Sequence, residues 1–387
     1  MYSLATCIKA AVILFPLLAL GITLPYLIVH YHKYGSILLF RAVVFYSLIL
    51  YLLCSYLLVV LPLPSLEEVA QLKTPSTQLI PFQFTNDIKM YTEFSVWTPK
   101  TYVDSFFNSV FLQVFYNVIM FIPFGIYLHY YYRRNLLETF LLSFMLSLFF
   151  ELTQLTGIYG YYPRAYRLFD VDDLILNTVG GMVGYFIEPF FSWILPSKEQ
   201  LNQISYERGK KVSVVRRLMG AIIDWSLIVF IFFIIKRISP FQWFDLILLR
   251  TAKAAFIYFV LVLIYFVFLP YFFGGYTPGK RIVQIKVVNK KNHKPGILQY
   301  FVRYMILYGL FVPDIAYCFW LNTFRKTEHV SQLEQNISFF LIGVLILLWI
   351  LFAINLLIAL FTCGKLFLYE SLSNTQEVST IKIPDED

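Results

Sequence analysis

An apolar, glycine-rich segment with charges at its mouth reads Arg167-Leu-Phe-Asp170-Val-Asp172-Asp173-Leu-Ile-Leu-Asn177-Thr-Val-Gly180-Gly181-Met-Val-Gly184-Tyr185. Charges are tolerable where a membrane helix meets water, whereas polar side chains deeper in the bilayer are costly and usually functional. Glycines allow a helix to pack closely against a neighbour in a membrane. We therefore predict a membrane helix that carries functional side chains at one end.

The composition of the whole chain is typical of a polytopic membrane protein. Hydrophobic residues make up 59% of the 387 positions and charged residues only 14%, whereas a soluble domain is about half apolar and a quarter charged. We predict an all-α fold of about nine transmembrane helices in two bundles, with a small cytoplasmic β-hairpin in the second bundle. The predicted spans are 8–29, 38–61, 108–132, 136–157, 171–191, 217–235, 251–271, 300–320 and 338–361.

A polar and then basic linker separates the two predicted bundles. The expected organisation is a first membrane domain at 1–191 with an outer loop at 63–107, a cytoplasmic linker at 192–212, and a second membrane domain at 213–380. Lysine and arginine concentrate in alternate short loops, which places the N-terminus outside and the C-terminus in the cytoplasm. Basic residues at 236, 237 and 250 oppose this orientation. The tail after residue 370 is polar, and no membrane role is predicted for it.

The formal net charge of +8 points to the lipid bilayer as partner, because the basic residues lie in loops where they meet anionic headgroups. Nucleic acid is not an expected partner, since these residues form no soluble basic patch. The four cysteines are isolated and lack the Cys/His spacing of a metal site. No metal and no cofactor are predicted, and the sequence leaves a homo-oligomer open.

Three predicted helices bring polar side chains to one depth of the membrane. With a rise of 1.5 Å per residue, the helices at 108–132, 136–157 and 171–191 place them within roughly 15 Å of the outer interface. The residues are Asn117, Glu151, Gln154, Asp173 and Asn177, with Arg167 at the mouth.

Two interpretations of this polar layer compete. Hydrogen bonding between helices suffices for Asn117 or Gln154 alone. An outward-facing pocket better explains Glu151 with Asp173 and Arg167, because an ionised carboxylate is expensive in hydrocarbon. Such a pocket suits ligand binding or acid–base chemistry. The sequence offers no nucleophile set, phosphate-binding loop or metal cluster, so we favour binding over catalysis.

Several ordered motifs of this first domain resemble those of VanZ-like membrane proteins. They are Leu79-Ile80-Pro81-Phe82, Tyr116–Gly125, Glu151-Leu-Thr-Gln154 and Arg167–Tyr185. Members of that family are associated with low-level resistance to the glycopeptide antibiotic teicoplanin. The resemblance implies a cell-envelope role on the outer side of a bacterial plasma membrane, with a lipoglycopeptide or cell-wall precursor as candidate ligand. It implies no reaction.

The second domain opens with a charged pair in its first predicted helix. Arg217 and Asp224 are seven residues apart, which puts them on one helix face about 10 Å apart. An intramembrane aspartate is a functional-site candidate; the alternative is a buried partner for a lysine or arginine of a neighbouring span. The β-branched run that follows the Thr277-Pro-Gly-Lys280 turn predicts the cytoplasmic hairpin.

This second arrangement resembles the RDD family, named for an arginine and two aspartates. The resemblance assigns a charged set of Arg217, Asp224, Lys280, Arg303 and Asp314, with Asp245 the weaker candidate for the second aspartate. Some members of the family are linked to ion or proton transport. Three hypotheses result: an accessory envelope factor binding an amphipathic ligand, an ion or proton transporter centred on Asp224 and Arg217, and an intramembrane enzyme acting on a lipid-linked substrate with Glu151 as general base.

Overall fold

The computed structural model describes residues 2–94, 97–238, 258–311, 331–361 and 367–383. The chain divides into two compact units. The first comprises Met1–Thr23 and Leu39–Leu201, and the second comprises Leu24–Leu38 and Asn202–Asp387. The end of the first helix therefore belongs to the second unit.

The first unit is helical apart from two short strands. Its elements in chain order are α1 (Tyr2–Tyr34, continuing into the second unit), α2 (Leu39–Val60), α3 (Leu66–Gln71), β1 (Thr77–Gln78), α4 (Gln83–Tyr91), α5 (Thr101–Phe106), α6 (Ser109–Tyr130), α7 (Leu136–Leu155), α8 (Gly157–Gly160), β2 (Phe169–Asp170) and α9 (Val171–Ser192). β1 and β2 pair in parallel, with Thr77 opposite Phe169.

Side-chain caps determine where several of these helices begin. The Asn108 side chain accepts the Val110 N–H at 3.0 Å and starts α6. Asn135 and Glu138 cap α7 reciprocally. Asp170 accepts the Asp172 N–H at 2.8 Å and starts α9. Because these caps satisfy backbone donors that a helix leaves unpaired, they fix the polar ends of the apolar helices.

Six described helices are long and apolar enough to cross a membrane, namely Ala5–Tyr34, Leu39–Val60, Ser109–Tyr130, Leu136–Leu155, Val171–Ser192 and Gln332–Asn355. Five of them coincide with the first five predicted spans and the sixth with the last. The other three predicted spans overlap described helices of the second unit, but 251–257 and 312–320 lie outside the described residues. The count of nine spans therefore stays a prediction.

Helices α6 and α9 pack backbone against backbone. A Cβ atom added at Gly180 would collide with the Val118 carbonyl, and one at Gly184 would collide with the Ile122 carbonyl. Gly181 instead faces the Ser143 side chain of α7. This confirms the close packing predicted for the glycine-rich helix.

The remaining elements are α10 (Lys198–Gly209), α11 (Val214–Ile238), α12 (Tyr258–Phe272, with a π-helical stretch at Leu263–Phe268), α13 (Pro278–Ile282), β3 (Ile285–Asn289), α14 (Ile297–Tyr304, continued by the π-helix Met305–Phe311), α15 (Gln332–Phe361), α16 (Leu368–Ser373) and β4 (Thr375–Ser379). The second unit has an aromatic core in which Phe266, Tyr300, Tyr304 and Tyr308 are buried.

The structure contains the predicted strand but not the predicted β-hairpin, because a different segment supplies the partner strand. β3 pairs antiparallel with β4, with Ile285 opposite Ser379 and Asn289 opposite Thr375. The chain after β3 turns instead, since the Asn289 N–H donates to the His293 carbonyl at 2.9 Å. The β-branched pattern identified a strand, but it carried no information on a partner about 85 residues away. That partner lies in the polar tail to which no role was assigned.

Candidate functional site

Helices α6, α7 and α9 bring the residues of the polar layer together. Asn117 donates to the Asp173 carboxylate and so links α6 to the first turn of α9. Asn177 donates to the Ser147 hydroxyl at 2.9 Å and links α9 to α7. These contacts bring Asn117, Asp173 and Asn177 together with Ser147 of α7. Ser147, which is fully buried, was not predicted, because an isolated serine in an apolar helix gives no signal.

Glu151 contacts the entrance of α9. Its side chain is only 3% exposed, and Oε2 accepts the Asp170 N–H at 3.0 Å. A carboxylate at the N-terminus of a helix interacts favourably with the helix dipole and with unpaired backbone donors. The described partner of the buried Glu151 carboxyl group is thus a backbone N–H rather than a cation.

Arg167 and Gln154 hold the end of α2. The Arg167 guanidinium donates to the Val59 and Leu61 carbonyls, each at 2.8 Å. The Gln154 amide donates to the same Val59 carbonyl at 3.0 Å. The last carbonyls of a helix have no partner within it, and these two side chains satisfy them. Arg167 and Gln154 therefore hold the end of α2 beside the polar layer.

Asp172 anchors the part of the outer loop that contains Phe82 and Phe84. Its Oδ1 accepts the Phe82 N–H at 2.6 Å and its Oδ2 accepts the Phe84 N–H at 2.8 Å. Arg164 holds the preceding segment by donating to the Leu72 and Thr74 carbonyls. The sequence showed these charges at the mouth of α9 but not that they bind a segment about 90 residues upstream.

The layer carries an excess of negative charge. Glu151, Asp170, Asp172 and Asp173 accept hydrogen bonds from backbone or amide groups, while Arg167 is engaged with carbonyls. The ion pairs of the described first unit join other residues, such as Arg134 with Glu138. Burial raises the pKa of Asp170, and the neighbouring charges of Asp172 and Asp87 raise it further. Bringing a cationic or hydrogen-donating group to this layer would relieve that repulsion.

A cavity of about 400 Å³ lies elsewhere in the first unit. It is lined by Tyr91, Thr92, Glu93, Lys100, Thr101, Ser105 and Asn108, and so includes none of the six residues of the layer. Within the part of the chain that the structure describes, no group of three or more histidine, cysteine or acidic residues is arranged to hold a metal ion.

In the second unit, Asp224 is fully buried and accepts three hydrogen bonds. Its donors are the Tyr265 hydroxyl at 2.9 Å, the Thr277 hydroxyl at 2.5 Å and the Gly279 N–H at 2.7 Å. These contacts attach α11 to the turn that begins α13. The partners are hydroxyl and backbone groups, whereas sequence reasoning considered only a lysine or arginine.

The other charged residues of this set form a separate buried cluster. Arg217 pairs with Glu370 at 2.8 Å and lies 3.5 Å from Glu377, so it does not extend to the membrane interface as a lone cation. Arg303 pairs with Glu377 at 2.7 Å, and Lys280 pairs with the same carboxylate. Sequence reasoning assigned no role to either glutamate, because Glu377 lies in the polar tail and an isolated glutamate such as Glu370 does not indicate its partners. Asp314 and Asp245 lie outside the described residues.

Family models match both halves of the chain. Residues 48–192 match the VanZ/LLP1 model, and residues 211–369 match the RDD family model. The chain is a fusion of a VanZ-like domain and an RDD domain. A search of curated proteins and a search of solved structures each returned no match. The RDD match ends at residue 369, so Glu370 and Glu377 complete the charged cluster from beyond it.

The RDD-domain cluster should make stability depend on acid pH. Burial alone would raise the pKa of Glu377, but Lys280, Arg303 and Arg217 hold it well below the ordinary value of 4.5. A carboxyl with a lowered pKa stabilises the fold above its ordinary pKa, and this contribution is lost as the pH falls toward the folded-state value. We expect the thermal midpoints of wild type and Glu377→Gln to differ by a constant amount at pH values above the ordinary pKa of 4.5, and to converge only as the pH falls below that value. A difference that stayed constant below that value as well would contradict this.

Proposed function

We propose that this protein is an accessory factor of a bacterial envelope that lowers susceptibility to teicoplanin-type glycopeptides. In this proposal the chain crosses the plasma membrane nine times in two bundles, with its N-terminus outside and its C-terminus in the cytoplasm. The VanZ-like domain, at 1–191, binds an amphipathic lipoglycopeptide or cell-wall precursor at the polar layer. The linker at 192–212 then lies in the cytoplasm, and the RDD domain at 213–380 lies in the membrane.

One observation carries the proposal. Asp173 is a partly buried carboxylate of a membrane helix, and its described side-chain partner is the neutral amide of Asn117. Charged groups are costly at this depth and are retained where they serve a function. Asp173 and Glu151 together attract the amino and hydroxyl groups of a polar headgroup, while the apolar helix faces accommodate its lipid part.

The other members of the layer position this carboxylate pair. Arg167 and Gln154 fix the end of α2, and Asn177 fixes α9 against α7. Glu151 is bound by a backbone N–H, and the described residues form no metal-binding cluster beside it. The arrangement therefore favours ligand binding over catalysis.

The test compares teicoplanin susceptibility in a strain lacking the protein and complemented with variants. We expect Asp173→Asn and Glu151→Gln to lower the inhibitory concentration to that of the deletion strain, because each removes a negative charge while keeping the side chain's shape. Immunoblots of the membrane fraction measure protein amount. Glu138→Gln is the matched control, since Glu138 is an exposed carboxylate at the other end of α7. Wild-type resistance in both layer variants would refute the assignment.

The RDD domain does not add a transport function to this proposal. Asp224 accepts three hydrogen bonds from the protein itself, including the Thr277 hydroxyl and the Gly279 N–H. A carboxylate that binds a transported ion has to exchange its partners during each transport cycle. Asp224 instead accepts hydrogen bonds from groups that attach α11 to neighbouring elements. We assign Asp224 a structural role.

A further inference from the structure

Three cations from separate elements of the RDD domain converge on the C-terminal tail. Arg217 comes from α11, Lys280 from α13 and Arg303 from α14. Arg303 is fully buried, and the side chains of Lys280 and Arg217 are 7% and 11% exposed. Bringing three like charges together out of water is strongly unfavourable unless anions accompany them.

Glu370 and Glu377 are the anions that accompany these cations. Arg303 Nη2 lies 2.7 Å from an oxygen of Glu377 and 3.4 Å from an oxygen of Glu370. One guanidinium thus contacts oxygens that two different residues supply. The same guanidinium also donates to the Thr375 hydroxyl at 2.8 Å. Proteins commonly bind phosphate groups with an arginine guanidinium that donates hydrogen bonds to several oxygens at once.

The two glutamates do not saturate the site. Three cations face two glutamates, and the nearby Asp224 carboxylate accepts its hydrogen bonds from other groups. Among the described residues, Arg217 Nε and Nη1 and Arg303 Nε have no partner with hydrogen-bond geometry, although Arg217 Nη1 lies close to Glu370. The buried hydroxyls of Tyr300 and Tyr304 also lack a partner, and so does Glu377 Oε2, so this glutamate places only one of its two oxygens in hydrogen-bond geometry. Buried donors without acceptors are costly, so the site has capacity for a more oxygen-rich anion.

The glutamates belong to a C-terminal segment that packs on α14 and pairs with β3. They lie in α16 and β4, beyond the region that matches the RDD family. β4 is held by the two-stranded sheet with β3, and a two-stranded sheet is only marginally stable by itself. The ion pairs keep this segment in place together with neutral hydrogen bonds, such as that from the Gln299 amide to the Asn374 carbonyl.

We propose that Arg217, Lys280 and Arg303 form a binding site for a phosphate-bearing anion, and that Glu370 and Glu377 of the tail are its internal occupant. A phosphate group carries more charge-bearing oxygens than one carboxylate and accepts from all three cations at once. Its binding displaces the two glutamates, separates β4 from β3 and releases the tail. An anionic lipid headgroup and free phosphate share this chemistry.

The experiment uses the full-length protein in a neutral detergent at constant ionic strength. It is titrated with inorganic phosphate, with dihexanoyl phosphatidylglycerol and, as a zwitterionic reference, with dihexanoyl phosphatidylcholine. Hydrogen exchange of peptides covering 285–289 and 375–379 measures whether β3 and β4 separate, and native mass spectrometry measures the bound anion. We expect exchange in both strands to rise with phosphatidylglycerol, with phosphate or with both, and to stay constant with phosphatidylcholine.

The pattern of response identifies the ligand. A response to phosphatidylglycerol alone assigns the site to an anionic lipid headgroup, and a response to phosphate as well assigns it to phosphate anions generally. No binding and no change of exchange with either anion would overturn the proposal. Wild-type protein suffices for this result, so a variant that fails to fold does not affect it.

A charge-neutral variant tests the role of the tail as occupant. Glu377→Gln removes one competing charge, so half-maximal binding should occur at about a tenth of the wild-type anion concentration, equivalent to about 1.4 kcal/mol. Glu207→Gln is the matched control, because Glu207 is an exposed carboxylate 2.6 Å from Lys210 and outside the cluster. An unchanged midpoint in Glu377→Gln would show that the tail does not compete for the site.

Discussion

Asp224→Ala is expected to destabilise the RDD domain severely. The substitution leaves the Tyr265 and Thr277 hydroxyls and the Gly279 N–H without their acceptor. A buried polar group that loses its partner costs about 1–3 kcal/mol, so the loss should be on the order of 3 kcal/mol or more. The measurement is the thermal unfolding midpoint of purified protein in detergent, together with the yield of monodisperse protein.

Single-donor variants show whether the three hydrogen bonds are the cause. Tyr265→Phe and Thr277→Val each remove one donor and should each cost on the order of 1 kcal/mol. Thr277→Val should cost less in an Asp224→Ala background than in wild type, because the hydrogen bond that it removes is already lost there. Free-energy effects within one hydrogen-bond network are not additive. Glu207→Ala, an exposed carboxylate, should change stability by less than about 1 kcal/mol.

The same variants separate the structural role from the transport hypothesis. If Asp224→Asn kept wild-type stability but abolished cation-dependent pH changes in inverted vesicles, Asp224 would act on ions and our structural assignment would be wrong. We expect instead that stability and any activity decline together, since the carboxylate joins α11 to the Thr277 turn.

That Asn117 and Asp173 lie close together could be anticipated from the sequence, whereas the bonding of the layer could not. A constant rise per residue fixes how far Asn117 and Asp173 lie from the helix ends, so their contact follows from helix bounds alone. The acceptors of Arg167 are the Val59 and Leu61 carbonyls. Every residue has a backbone carbonyl, so the sequence does not indicate which carbonyls a distant side chain will bind.

The tail of the RDD domain shows a second limit of sequence reasoning. Glu377 is buried within a strand whose other residues include Thr375 and Gln376, and such a polar segment resembles an exposed terminus. It folds because buried cations and the edge of β3 compensate for its low hydrophobicity. The glutamates and the cations are all visible in the sequence, but no pattern indicates that a polar tail binds cations from three distant segments.

Gly184→Ala and Gly180→Ala are expected to prevent α6 and α9 from packing. The new Cβ atoms would meet the Ile122 and Val118 carbonyls, and backbone cannot move aside as a flexible side chain can. Overpacking of this kind costs typically about 1–3 kcal/mol and occasionally more. The two helices would separate at the level of Asn117 and Asp173, so the VanZ-like domain should lose stability and, under the proposed function, teicoplanin resistance as well.

Gly21→Ala and Gly343→Ala provide matched controls for the glycine variants. Both positions lie in long apolar helices and have open space where a Cβ would be placed. Alanine is a better helix former than glycine by about 1 kcal/mol, so these variants should be neutral or slightly stabilising. The measurement is the thermal midpoint and the monodisperse fraction after extraction in one detergent. If all four variants behaved alike, the α6–α9 contact would not depend on its glycines, because the chemical change is identical and only the space at the new methyl group differs.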